Sequence, residues 1–224
     1  MSSAELRQQR ARRGRPPDPD KRRAIARAAT RIFLARGFQG ASMDAIARAA
    51  GVSKLTLYSH FGDKDRLFQE IVRARCDAYN RPESYDALLA LSPRAGLCRI
   101  GHNFVALLLD PEVVRLHRVM VGEAARHPKM AELFFQAGPE RSAAHISDFL
   151  RRASALGHYR VVDPELAAEQ LQSLWKGMPH FRATLGLRPA PTPKQIAAHV
   201  EASVDLFLRA HGSDGRRARR SGHP

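Results

Sequence analysis

The sequence predicts an all-α chain in which a short three-helix N-terminal unit precedes a larger helical unit. Three observations predict it. Apolar residues recur at three- and four-residue steps along most of the chain, the period of an amphipathic helix. Asp, Ser and Thr stand where these stripes begin and Gly where they end, as helix caps require. No stretch alternates apolar and polar residues between hairpin turns, so no sheet is expected.

Residues 1–20 mix Arg with Gly, Pro and Asp and are expected to form a flexible basic arm. From Lys21 the stripe Ile25, Ala28, Ala29, Ile32, Phe33 marks a helix that Asp20 can cap and Gly37 ends. Ser42 caps a second helix, Met43 to Ala50, and Gly51-Val52 breaks it. Ser53 caps a short third one, Lys54 to His60, stopped by Gly62. Asp63 then caps a fourth carrying Leu67, Phe68, Ile71 and Val72 to about Tyr79, and Pro82 marks the end of a domain at 21–80. A second domain, 81–211, reads as helices Arg94–Leu109, Glu112–Arg126, Lys129–Ala137, Glu140–Leu156, Pro164–Leu185 and Pro193–His211. Residues 212–224 are expected to be a disordered basic tail.

Charge is distributed unevenly. The net charge is +15, and residues 1–70 hold 15 Lys/Arg against 7 Asp/Glu, while 71–211 hold 18 against 14. A basic end beside a near-balanced body implies a polyanionic partner for one part of the molecule, or else a solubilising composition. The two cysteines, Cys76 and Cys98, lie far apart and suggest neither a disulfide framework nor a zinc site, which fits the reducing cytoplasm. No apolar run approaches membrane-spanning length, and the basic N-terminus lacks a signal peptide's apolar stretch, so no membrane partner is expected. The ten histidines show no metal-ligand spacing. No nucleophile motif or phosphate-cradling loop occurs, so neither a cofactor nor enzymatic turnover is expected.

Two short helices can meet at a wide angle only if the inside of the corner is small. Ala47, then Gly51 four residues on, then Leu57 six further satisfy that, with Ile46, Ala50 and Val52 completing a wedge. This is the steric pattern of a helix-turn-helix, although a plain helical hairpin uses the same glycine turn. In the first case Ser53, Lys54, Leu55 and Thr56 stand where a recognition helix reaches base edges. Lys54 can donate to guanine O6 and N7, and Leu55 can touch a thymine methyl. Tyr58, His60 and Lys64 suit phosphate contacts, and Arg15 of the arm could follow the backbone or enter a minor groove. Singly, each is equally an ordinary surface residue.

The run GRP…RRAIARAATRIFLARGFQGASMDAIARAAGVSKLTLYSHFGDKDRLFQEIV, within residues 14–72, resembles the N-terminal domain of the TetR/AcrR family of regulators. The segment from HPKMAELFFQ to QLQSLWKGM is similar, less specifically, to an AefR-like C-terminal domain of that family. The resemblance implies that Ser42, Lys54, Thr56, Tyr58, His60 and Lys64 touch operator DNA. Leu55 departs from the Gly often found there, which bears on base preference. It also implies a helix-turn-helix DNA-binding domain followed by an effector and dimerisation domain, in a homodimer on a pseudo-palindromic double-stranded operator. The expected function is then a repressor released by a small molecule; an effector-independent or architectural DNA-binding protein is the alternative.

Leu171, Leu174, Met178, Phe181 and Leu185 on one C-terminal helix, and Ile196, Val200, Val204, Phe207 and Leu208 on the next, could form an intersubunit seam or pack on their own domain. Pro179 should kink the first of these around Gly177–Pro179. Phe104, Leu108, Met120, Phe134, Phe149, Trp175 and Met178 could line a pocket for an apolar or amphipathic effector, with a gap beside Trp175 and Met178, or could equally be core.

Overall fold

The computed structural model describes residues 18–79 and 85–212. Arg15 and most of the arm, Pro82, and the tail beyond Gly212 lie outside the described residues. The order is α1 (Pro19–Gly40), α2 (Met43–Ala50), α3 (Lys54–Phe61), α4 (Lys64–Tyr79), α5 (Tyr85–Leu89), α6 (Pro93–Leu109), α7 (Pro111–Glu123), α8 (Pro128–Phe135), a π segment (Gln136–Glu140), α9 (Arg141–Ala155), α10 (Pro164–Leu185) and α11 (Pro193–His211). Among the described residues the only β pairing is a single bridge between Tyr159 and Gly212. The chain divides into two compact units between Phe68 and Gln69, within α4 and upstream of Pro82.

In the first unit each helix start follows from its cap. Asp18 accepts the Asp20 N–H at 2.9 Å with Pro19 in the first turn, so α1 begins slightly before Lys21. Gly37 leaves helical geometry at φ 68°, ψ 177°, a conformation that only glycine adopts at little cost. This turns Phe38 back against Phe33 and Phe68, with ring centroids 5.3–5.6 Å apart. Ile25, Ala28, Ala29, Ile46, Ala47, Leu57 and Leu67 fill the remaining core.

The second unit buries α6, α9, α10 and α11 around Leu97, Phe149, Leu150, Leu171, Trp175 and Val200. Gly101 lets α6 approach closely, because a Cβ there would lie 2.7 Å from the Trp175 ring and 2.8 Å from Val200. The kink expected in α10 falls at Gly177, φ 33°, ψ −154°. Pro179 cannot donate to the carbonyl of Trp175, and His199 Nε2 of α11 donates to that oxygen instead, at 2.9 Å.

One expectation changes. The chain does not break at Gly138-Pro139: α8 continues through the π segment into α9. The wider turn relieves the clash of a proline ring with the carbonyl four residues earlier. The apolar stripes of α10 and α11 divide: Leu171, Val200, Val204 and Phe207 are buried against their own unit, while Met178, Phe181 and Leu185 face outward. The outward apolar positions are Leu166, Met178, Phe181, Leu185 and Leu206, all about half exposed or more. The kink explains part of this, since it rotates the residues after Gly177 relative to those before.

Candidate nucleic-acid interface and ligand cavity

The corner between α2 and α3 has the small-residue geometry its spacing implies. Gly51 is left-handed, φ 67° and ψ 32°. Its N–H donates to Arg48 O at 3.2 Å, and the Val52 N–H reaches Ala47 O at 3.1 Å, a Schellman closure of α2. Ser42 caps α2 by accepting the Ala45 N–H, and Ser53 caps α3 by accepting the Thr56 N–H. Buried Ile46, Ala47 and Leu57 anchor the pair, leaving the opposite side of α3 outward.

On that side Leu55 is 80% exposed and Tyr58 47%. An aliphatic side chain held this far into solvent makes no packing contribution to its own unit, which leaves it available for contact with an outside partner. Lys54 is exposed too, with its ammonium 2.6 Å from Asp44 Oδ2. An exposed ion pair of this kind is worth little and gives way readily to a stronger anion. Ser53 and Thr56 share a hydroxyl hydrogen bond of 2.8 Å, so the capping pair is fixed at the helix start. His60 is half-buried, and its ring Nδ1 has no partner among the described residues. Its backbone carbonyl accepts from Arg22.

Lys64 differs from the expected surface charge. Its ammonium donates to Phe38 O at 2.9 Å and Ala41 O at 3.1 Å and sits 4.4 Å from the Phe38 ring centroid. Burial pushes its pKa down. It ties the α1–α2 connection together, which leaves one N–H for an outside acceptor.

Within the second unit, α4, α6, α7, α8, α9, α10 and the π segment line a half-open cavity of about 550 Å³. Of the residues expected to line a pocket, Phe104, Leu108 and Phe134 do so. Met120, Phe149 and Trp175 instead fill core, each 3% exposed or less; for Trp175 the close approach of Gly101 and the His199 hydrogen bond at the kink leave no gap. Met178 is outward and lines a separate groove with Pro179 and Arg182.

The cavity's polar residues escape motif searching. His180 is 3% exposed, with Nδ1 3.1 Å from Leu108 O and Nε2 3.1 Å from His117 Nδ1. A carbonyl only accepts, so His180 carries its proton on Nδ1, its Nε2 accepts, and His117 Nδ1 must donate. Burial, then His180 and Lys176, push the pKa of His117 down to about 4. Burial lowers His180 as well. Both rings are therefore neutral near pH 7. Gln172 Nε2 is a buried donor with no partner among the described residues. The only sequence signal for these was a lone polar residue on an otherwise apolar face. Among the described residues no group of three or more His, Cys, Asp or Glu is placed to hold a metal, and no helix is long and apolar enough to cross a membrane.

A helix-turn-helix unit joined to a larger helical unit with a cavity defines a DNA-binding transcriptional regulator. Comparison with known proteins agrees. Residues 25–71 match the family model described as bacterial regulatory proteins, tetR family, and residues 95–213 match that of the AefR-like transcriptional repressor, C-terminal domain. The chain belongs to the TetR family. It is 35% identical to the flavonoid-responsive regulator FrrA, a solved structure, covering 86% of this chain and 97% of that one with a TM-score of 0.69. A TetR-family regulator structure from Pseudomonas syringae pv. tomato is 30% identical, over 87% and 98% of the two chains, with a TM-score of 0.59. The HTH-type transcriptional regulator BetI of Agrobacterium fabrum is 28% identical over 91% of this chain and 95% of its own.

Proposed function

We propose that this regulator is a cytoplasmic homodimeric repressor that leaves a pseudo-palindromic operator when a small apolar or amphipathic molecule enters the second unit. The carrying observation is the cavity of about 550 Å³, kept open beside a core in which Leu97, Leu171 and Trp175 are fully buried. Interiors pack densely, so a half-open, mostly apolar cavity of ligand size with a few polar groups supports a binding site. The flavonoid responsiveness of a 35% identical relative supports a small aromatic effector. On the DNA side Ser42, Ser53, Lys54, Leu55, Thr56, Tyr58 and His60 form the contact surface, with Lys64 bracing it and Arg15 adding a contact from the arm.

The test has two stages. DNA selected from a random pool defines the operator, and compounds are screened for release from it. Release should disappear in Ala143→Trp, which fills the cavity at one of its lining positions, while operator binding without compound persists. Release that survives Ala143→Trp would place the effector elsewhere, and a protein that no compound releases would be an effector-independent regulator.

A further inference from the structure

The chain of tautomers in the cavity ends on a specific chemical demand. Leu108 O fixes the proton of His180, His180 fixes that of His117, and His117 Nε2 is left as a lone-pair acceptor with no partner among the described residues. Gln172 Nε2, lining the same cavity, is a buried donor also without one. Leaving the buried Gln172 donor unsatisfied is unfavourable, and a ligand that completes it and also donates to His117 gains selectively over one that does neither.

The walls narrow the choice further. His117 is stacked against Phe134, 21° between planes and 6.1 Å between centroids, so the acceptor stands beside an aromatic ring that favours an aryl ligand. Leu107, Leu108 and Leu116 supply aliphatic contact. With Arg75 engaged by Glu112 outside the lining, the charged lining residues left are Lys176 against Glu140 and Glu169, all three exposed and so screened by water. Cys76 adds no charge, since burial pushes its thiol pKa up. Nothing in this balance favours an anionic ligand, and the buried polar groups of the lining, His180 and Gln172, carry no charge.

We infer that the cavity selects a neutral, planar hydroxyaryl ketone, whose phenolic O–H donates to His117 Nε2 and whose carbonyl oxygen accepts from Gln172 Nε2. This rests on the cavity being the effector site. A saturated hydrocarbon would fill the volume but leave both polar groups bare, and a carboxylate would present a second acceptor to the His117 lone pair.

Three probes of similar shape separate the terms: 4-hydroxychalcone, 4-methoxychalcone, which cannot donate, and 4-hydroxystilbene, which lacks the carbonyl. Calorimetric titration of the full chain should show 4-hydroxychalcone binding at least tenfold tighter than either analogue. His117→Phe keeps a ring beside Phe134 and should abolish the hydroxyl advantage while leaving the carbonyl advantage. Gln172→Leu should do the reverse, and His117→Asn, which restores an acceptor, should recover part of the hydroxyl preference. Circular dichroism and melting establish that each variant is folded; should His117→Phe not fold, His117→Asn and Gln172→Leu carry the test. Equal binding of the three probes, no binding of any, or a hydroxyl preference unchanged in His117→Phe overturns the inference. If a screened effector nonetheless loses its action in Ala143→Trp, the effector site stands and only the ligand class falls. If release survives Ala143→Trp, the effector site itself falls.

Discussion

Lys54 and Lys64 carry the same charge in one short unit, yet their surroundings give them different work. Lys54 is exposed and held only by an exposed carboxylate, so a base edge can take it from Asp44. Lys54→Ala should therefore change which sequences are preferred, by about 1–3 kcal/mol at the matching base pair, in binding assays on single-base variants of the selected site. Lys64 is bonded to two backbone carbonyls, and Lys64→Met should destabilise the first unit by about 1–3 kcal/mol, lowering its melting temperature, as well as weaken all sites alike. An unchanged melt would show those bonds to be incidental. Sequence conveyed the position of both lysines but not this division, because hydrogen bonds to carbonyls 23 and 26 residues away leave no local pattern. His117 makes a prediction of the same kind. Its native pKa, about 4, lies below its unfolded value near 6.5. Above pH 6.5 neither state binds the proton, and the native state has its full stability from this source. As pH falls from 6.5 towards 4 the unfolded chain takes up a proton that the native chain refuses, so stability drops, by at most about 1.4 kcal/mol per pH unit for one proton. Urea midpoints measured from pH 7.5 to 4.5 should fall less steeply in His117→Phe than in the parent, and parallel curves would mean the ring is already solvated.

At the scale of elements, caps and turns were legible and repairs were not. Ser42, Ser53, Asp63, Asp163 and Thr192 each accept a backbone N–H at a helix start, because a cap needs only its own side chain and the next three residues. The pairing of Gly101 with Trp175, by contrast, joins α6 to α10 across 74 residues, and that of His199 with Trp175 O joins α11 to the kink. Neither has a local signature, and for that reason Trp175 reads in sequence as a pocket residue when it is core. The pocket positions that were legible, Phe104, Leu108 and Phe134, are large and apolar; His117, His180 and Gln172 were not, since their roles depend on which helices meet. Gly101→Ala should force the Trp175 ring or Val200 to move and destabilise the second unit by about 1–3 kcal/mol. The measurement is denaturant unfolding followed by Trp175 fluorescence, the chain's one tryptophan and so a reporter of that unit alone. A Gly101→Ala protein as stable as the parent would mean the contact relaxes without cost.

For the whole molecule, all-helical architecture and the helix-turn-helix were legible because both rest on periodicity and short spacings. Which apolar stripe faces outward was not, since a period of three to four residues marks a buried face without saying what buries it. The structure separates the two. Phe207, 3% exposed, belongs to the second unit's own core, whereas Phe181 at 55%, Leu185 at 58% and Leu206 at 48% are uncovered. A partner subunit covering them would gain their burial, on the order of 1.5–3 kcal/mol for each fully buried side chain. Closed two-fold pairing of such a face requires the same patch on both copies. Phe181→Arg should then yield a folded monomer by light scattering, since an unpaired charge in an apolar seam is strongly unfavourable. Phe207→Arg should instead unfold the second unit. The Phe181→Arg monomer should lose binding to the full operator, because a dimer reads two half-sites one DNA turn, about 34–36 Å, or a multiple of it apart. Inserting five base pairs between the half-sites, about half a turn, should have the same effect on the parent protein, by carrying one half-site to the far side of the duplex. A Phe181→Arg chain that stays dimeric would place the seam on another face, and one that is monomeric yet binds the operator as tightly as the parent would remove dimerisation from the mechanism.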